Sequence, residues 1–198
     1  MRRLVSLLMM TFAWVGVAAA QPHVVLQPGA ELAIDGKSTV RDFTCKAWEV
    51  KARLTPGEAG GLEPEQLAGA LREVRLDIPV ARLDCANGTM NEHMFNALLA
   101  GQHPMIRFQL SGYEVGTPKD GQVPLRIRGA LTMAGATRPV DLWANATPTE
   151  DGGLRVRGRY LLRMTDWGVR PPTLMLGTLK VGDSVVIRFD FTLARLRA

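Results

Sequence analysis

From about residue 30 to the C-terminus, apolar and polar residues alternate with a period of two, and this pattern constrains the fold more than any other feature of the chain. The clearest run is Val185, Ile187, Phe189, Phe191 and Leu193, set against Ser184, Arg188, Asp190 and Thr192. The same parity appears in Val74, Leu76, Ile78 and Val80 against Arg75 and Asp77. It recurs in Leu125, Ile127, Leu131 and Met133 against Arg126, Arg128 and Thr132, and in Leu154, Val156, Tyr160 and Leu162 against four arginines. Weaker cases are Leu32/Ile34, Trp48/Val50/Leu54, Ile106/Phe108/Leu110 and Val140/Leu142/Ala144. Period two puts each apolar set on one face of a half-buried strand. Roughly eight or nine such strands, parted by turn clusters such as Thr117–Gly121 and Glu150–Gly153, describe an antiparallel all-β domain. The parity shifts near Gly112, which predicts a bulge in a long strand. Gly129 and Gly158 fall within apolar parities and mark corners or a close approach of a ligand.

One segment departs from the alternation. Thr89-Met90-Asn91-Glu92 has the form of a capping box with Thr89 as N-cap. Met90, Met94 and Leu98 then recur at helical spacing up to a stop at Gly101, which predicts a short helix over 90–100. A second, weaker helix is expected from Pro64 to Leu71.

The first twenty residues belong to a different category. Arg2 and Arg3 precede a short apolar run that ends in Ala18-Ala19-Ala20, the pattern of a secretory signal peptide cleaved after Ala20. The run is marginal for a membrane span, and its small-residue end argues for removal, so no stable membrane anchor is expected afterwards. The domain division is therefore 1–20 for the signal and 21–198 for one folded domain in the periplasm or outside the cell. Two of the 24 basic side chains leave with the signal, so 22 remain against 19 acidic ones. The arginines are scattered singly on strand parities, which reads as a solvated sheet face and not as a nucleic-acid stripe.

In an exported chain the two cysteines, Cys45 and Cys85, read as a disulfide. Neither has a CxxC partner or a histidine at ligand spacing, so no metal site is expected. His23, His93 and His103 form no metal motif, and GxSxG, P-loop and GxGxxG patterns are absent. No catalytic residues, no cofactor and no enzymatic activity are expected. Met90, Met94, Met133, Met164 and Met175 read as core fillers. An antiparallel sheet of about eight strands can instead close around one apolar ligand. An outer-membrane barrel is disfavoured, because its polar parity would crowd a narrow lumen with arginine.

Several segments together resemble a known family. They are Gly36–Phe43, Val74–Val80, Met90–Met94 with Leu98, His103–Phe108, Thr165–Pro172 and Val181–Val185. In this order and spacing, from about residue 28 to 195, they resemble the YceI-like family of exported lipid-binding proteins. The resemblance implies a lipocalin-like antiparallel β-barrel with one or two short helices and a lumen that takes long apolar chains such as polyisoprenoids. It departs at Trp167, where the usual residue is phenylalanine. The lumen residues expected on this reading are Trp48, Val74, Leu76, Ile78, Phe108, Leu125, Ile127, Val156, Tyr160, Ile187 and Phe189. Arg41, Asp166, Trp167 and Arg170 are expected at the rim, with Arg41 and Arg170 able to meet a diphosphate; a salt bridge between Arg41 and Asp166 is the plainer account. The function expected is non-catalytic binding, transport or storage of a long-chain isoprenoid, quinone or other lipid, with a homodimer left open. The alternative is a structural or stress-related interaction module that uses the barrel as a scaffold.

Overall fold

A computed structural model describes residues 23–58, 61–174 and 179–196. The segment read as a signal peptide, 1–20, lies outside the described residues. Twelve strands form: β1 (His23–Leu26), β2 (Glu31–Ser38), β3 (Asp42–Ala47), β4 (Lys51–Pro56), β5 (Leu71–Pro79), β6 (Leu83–Asp84), β7 (Met105–Val115), β8 (Val123–Met133), β9 (Ala136–Pro148), β10 (Leu154–Arg163), β11 (Thr173–Leu174) and β12 (Leu179–Leu196). One α-helix, α1 (Gly88–Ala97), joins β6 to β7. All strand pairs are antiparallel, in the order β4-β5-β7-β8-β9-β10-β12-β2-β3-β6, with β1 and β11 added to β12.

Apart from the two-residue β6, which pairs with the end of β3, the two edges of this sheet are one stretch of chain. β3 pairs with β2, β4 pairs with β5, and only Trp48–Val50 separates β3 from β4. The sheet therefore curls until the run 42–56 serves both edges, giving a barrel wall with eight strand positions. β1 pairs with the last residues of β12 and packs beside β4, filling the wall where that run bends away.

Local chemistry explains the turns and the irregularities. Ala134 and Gly135, with φ of 47° and 81°, form the two-residue turn between β8 and β9, where both positions need φ > 0. The His103 ring packs under Gly135, whose added Cβ would lie 2.6 Å from Nε2. The register of β7 against β8 shifts between Leu110 and Gly112, the bulge expected from the change in parity. Gly129 and Gly158 are seats for aromatic rings: Phe108 folds over Gly129, and Phe189 over its cross-strand partner Gly158.

The helix starts earlier than the capping-box reading placed it. Asn87 is extended, and its side chain accepts the Met90 N–H at 2.9 Å, so Asn87 is the N-cap and Thr89 is already helical. The left-handed residue after the helix is Leu99, at φ 53°, two positions before Gly101. The Leu99 carbonyl accepts the His103 N–H, which continues the turn past the helix. The second helix shrinks to a single 3₁₀ turn at Pro64–Gln66, with Leu67, Ala70 and Leu71 buried or half-buried beyond it.

Cys45 on β3 and Cys85 before α1 are joined in a disulfide that closes a separation of 40 residues. The outward parity carries the charges, and most of the wall arginines sit in ion pairs. Arg75 and Arg107 share Asp77, Arg155 and Arg157 share Asp190, Arg126 meets Asp141, and Arg188 meets Asp35.

Candidate functional site

The inward parity encloses two apolar chambers stacked along the barrel. The lower chamber, about 200 Å³, is lined by aliphatic side chains, phenylalanines and two tyrosines. Its floor is the segment 61–71, which turns into the barrel and buries Leu62, Leu67 and Ala70. Tyr113 holds that floor: its hydroxyl donates to the Leu67 carbonyl at 2.6 Å and accepts the Leu71 N–H at 3.1 Å.

The upper chamber, about 420 Å³, lies under α1. The Cys45–Cys85 bridge and Met90, Met94, Met133 and Met164 give it a sulfur-rich lining. Met175 lies outside the described residues. Polar side chains enter at the edge of this chamber, from Ser38 and Arg41 on the β2–β3 turn and from Asn87, Thr89 and His93 on α1 and its cap. Among the described residues no carboxylate lines this chamber. Arg41 makes no ion pair among the described residues, unlike most of the wall arginines. Its turn is set by Ser38, whose Oγ donates to the Arg41 carbonyl at 2.8 Å and accepts the Arg41 N–H at 3.2 Å.

The start of α1 is tied to the wall beneath it. Asn91 Nδ2 donates to Asp84 Oδ1 at 2.8 Å, and Asn91 Oδ1 accepts the Cys85 N–H at 2.7 Å. Bonds from Asn91, the Ala86 N–H and Trp48 hold the Asp84 carboxyl below the usual carboxylate range. Burial pushes the Tyr160 hydroxyl upward, assisted by the charges of Asp166 and Asp141.

Most residues expected in the lumen are brought together there. Val74, Leu76, Phe108, Leu125, Ile127, Val156, Tyr160 and Phe189 line the lower chamber, Ile78 lines the upper one, and Ile187 borders both. Trp48 does not join them. It lies in the link between β3 and β4, where the alternation is broken, and it is 74% exposed on the outside. The rim group separates as well. Arg41 reaches the upper chamber, while Asp166 and Arg170 are exposed away from either chamber's lining. Trp167 is 3% exposed and donates its Nε1–H to the Leu131 carbonyl at 2.9 Å, so it is a packing residue of the core. No ion pair joins Arg41 to Asp166 among the described residues; the Asp166 carbonyl instead accepts from Arg138. The alternation did not reveal the floor residues Leu62, Leu67, Ala70 and Leu71, because that segment has no period of two. The spacing of its leucines is the one signal it carries. Among the described residues no group of three or more His, Cys, Asp or Glu side chains is placed to hold a metal ion.

The sequence that builds this wall matches a known domain model. The YceI-like domain model aligns with residues 31–193. The chain belongs to the YceI-like family. Solved structures share the fold of this YceI-like chain at low identity. Burkholderia cenocepacia BcnA is 16% identical with a TM-score of 0.66, over 83% of this chain and 96% of its own. A polyisoprenoid binding domain from Saccharophagus degradans implicated in plant cell wall breakdown is 14% identical with a TM-score of 0.63, over 86% and 97%. The Campylobacter jejuni YCEI protein is 16% identical with a TM-score of 0.57, over 78% and 85%. No curated protein matches the sequence.

Proposed function

We propose that this chain is a non-catalytic carrier or store for a long-chain isoprenoid, or a related lipid such as a quinone, held in the barrel lumen. The observation that carries this reading is the pair of adjoining apolar chambers, the lower one lined by hydrocarbon and two tyrosines. A buried methylene gains about 0.8 kcal/mol, so chain length alone generates affinity and few polar contacts are needed. The domain from Saccharophagus degradans, described as polyisoprenoid binding, supports the same ligand class. The tail is assigned to the lower chamber and the head to the edge of the upper one. There Arg41, His93, Asn87 and Thr89 present donors without an opposing carboxylate, which favours an anionic or acceptor-rich head group. Export to the periplasm or the medium accords with the N-terminal segment 1–20 and with the Cys45–Cys85 bridge.

The test is native mass spectrometry on protein purified without detergent, for the wild type and for Leu76→Trp, which fills the lower chamber. A lipid retained by the wild type and lost or shortened in Leu76→Trp supports the reading. An empty wild-type protein that also fails to take up added prenyl alcohols overturns it.

A further inference from the structure

Among the described residues the two chambers share two lining side chains, Leu131 and Ile187. Leu131 lies on β8 and Ile187 on β12, three strand positions apart around the wall, so they approach the lumen from different sides. Their cross-strand neighbours belong to the same level. Leu131 registers with Phe108, and Ile187 with Tyr160 on one side and Ile34 on the other. Phe108 is held over Gly129, and the Leu131 carbonyl is held by Trp167. The β7–β8 side of this level is thus held in place.

We infer that Leu131 and Ile187 form a constriction that measures ligand chain length. This deepens the lumen-binding reading and rests on it. A chain entering beneath α1 first fills the upper chamber and meets these two side chains where the lower one begins. An apolar cavity of about 150 Å³ holds one benzene. By that standard the lower chamber, at about 200 Å³, accepts the last one or two isoprene units and the upper chamber about twice as much. Affinity is therefore built in two stages, and only the second depends on the constriction.

The experiment measures binding of geraniol, farnesol, geranylgeraniol and solanesol to the full mature chain, by displacement of a fluorescent fatty-acid probe. The proteins are the wild type, Leu131→Trp to narrow the constriction and Ile187→Ala to widen it, with Trp48→Ala as an outside control. Circular dichroism checks the folding of each, and Ile187→Phe narrows the same level if Leu131→Trp does not fold. In the wild type, affinity rises from geraniol to geranylgeraniol. The narrowed variant is expected to lower the ratio of geranylgeraniol to geraniol affinity by about tenfold or more, since several buried methylenes are lost. Ile187→Ala raises that ratio or admits solanesol. Equal losses for all four alcohols in the narrowed variant, or an unchanged ratio, would overturn the constriction while leaving lumen binding intact. Failure of every alcohol to bind the wild type would instead overturn the lumen-binding reading itself.

Discussion

Tyr113→Phe isolates the bond that holds the barrel floor. The substitution removes one oxygen and keeps the ring, so the lining of the lower chamber is almost unchanged. It deletes two hydrogen bonds, one to the Leu67 carbonyl at 2.6 Å and one from the Leu71 N–H at 3.1 Å. A typical intramolecular hydrogen bond contributes about 0.5–1.5 kcal/mol net, so the pair predicts a loss of roughly 1–3 kcal/mol. The upper end applies if the two backbone groups stay dry and unpaired, the lower end if the floor loosens enough to admit water. For a chain of this size each kcal/mol lowers Tm by about 2–4 °C. Urea unfolding followed by far-ultraviolet circular dichroism gives the stability, and an unchanged m-value shows that the comparison is between like states. Hydrogen exchange at the Leu71 amide reports the local event, because exchange there speeds up more than at β8–β9 amides if the floor opens on its own. If stability changes by less than about 0.3 kcal/mol and the Leu71 amide exchanges as before, the hydroxyl does not anchor the floor and the reasoning fails.

Replacing both cysteines by serine frees a separation of 40 residues and should cost about 4 kcal/mol in the chain-entropy model, read as a shift in the urea midpoint. The same change should speed release of a lumen-bound probe, because Cys85 leads into the helix over the upper chamber. Arg188 beside Asp35, Arg155 beside Asp190, and the Thr165 N–H and hydroxyl on Asp183 hold these carboxyls below the ordinary carboxylate range. Their contribution is therefore complete at neutral pH and is lost as pH falls below about 4 through the depressed values, so Tm should drop over that window and Asp35→Asn should flatten the drop. Gly158→Ala places a Cβ 2.4 Å from the Phe189 ring and 2.8 Å from the Trp143 carbonyl, so it should destabilise by about 1–3 kcal/mol in thermal unfolding. Trp48→Ala should change stability by less than about 0.5 kcal/mol and leave probe binding alone; a loss of binding would restore Trp48 to the lumen.

The wall of the barrel was legible because alternation is a local property. Val74, Leu76 and Ile78, or Ile187 and Phe189, announce their inward face residue by residue, and the parity change at Gly112 located the bulge. What escaped depended on contacts distant in sequence. Trp48 shares a parity with Val50 and Leu54 on paper, yet the chain leaves one strand and enters another between them, and the alternation resets. The family resemblance places Trp167 at the rim, but its indole N–H finds the Leu131 carbonyl 36 residues away and takes the ring inside. The capping-box pattern pointed to Thr89, but Asn87 takes the Met90 N–H, and the Asp84–Asn91 bond ties the start of the helix to the wall. The floor has no period of two, and its Leu67 carbonyl is held by a tyrosine on a distant strand.

The continuity of β3 with β4 has a consequence for how this protein tolerates being cut. Circular permutation with new termini at the Asp120–Gly121 or Asp151–Gly152 tips would leave every ladder of the wall in place. New termini between Trp48 and Val50 would sever the one run that belongs to both edges. The cylinder would then relax toward an open slab with two templating borders, the form in which sheets recruit strands from other molecules.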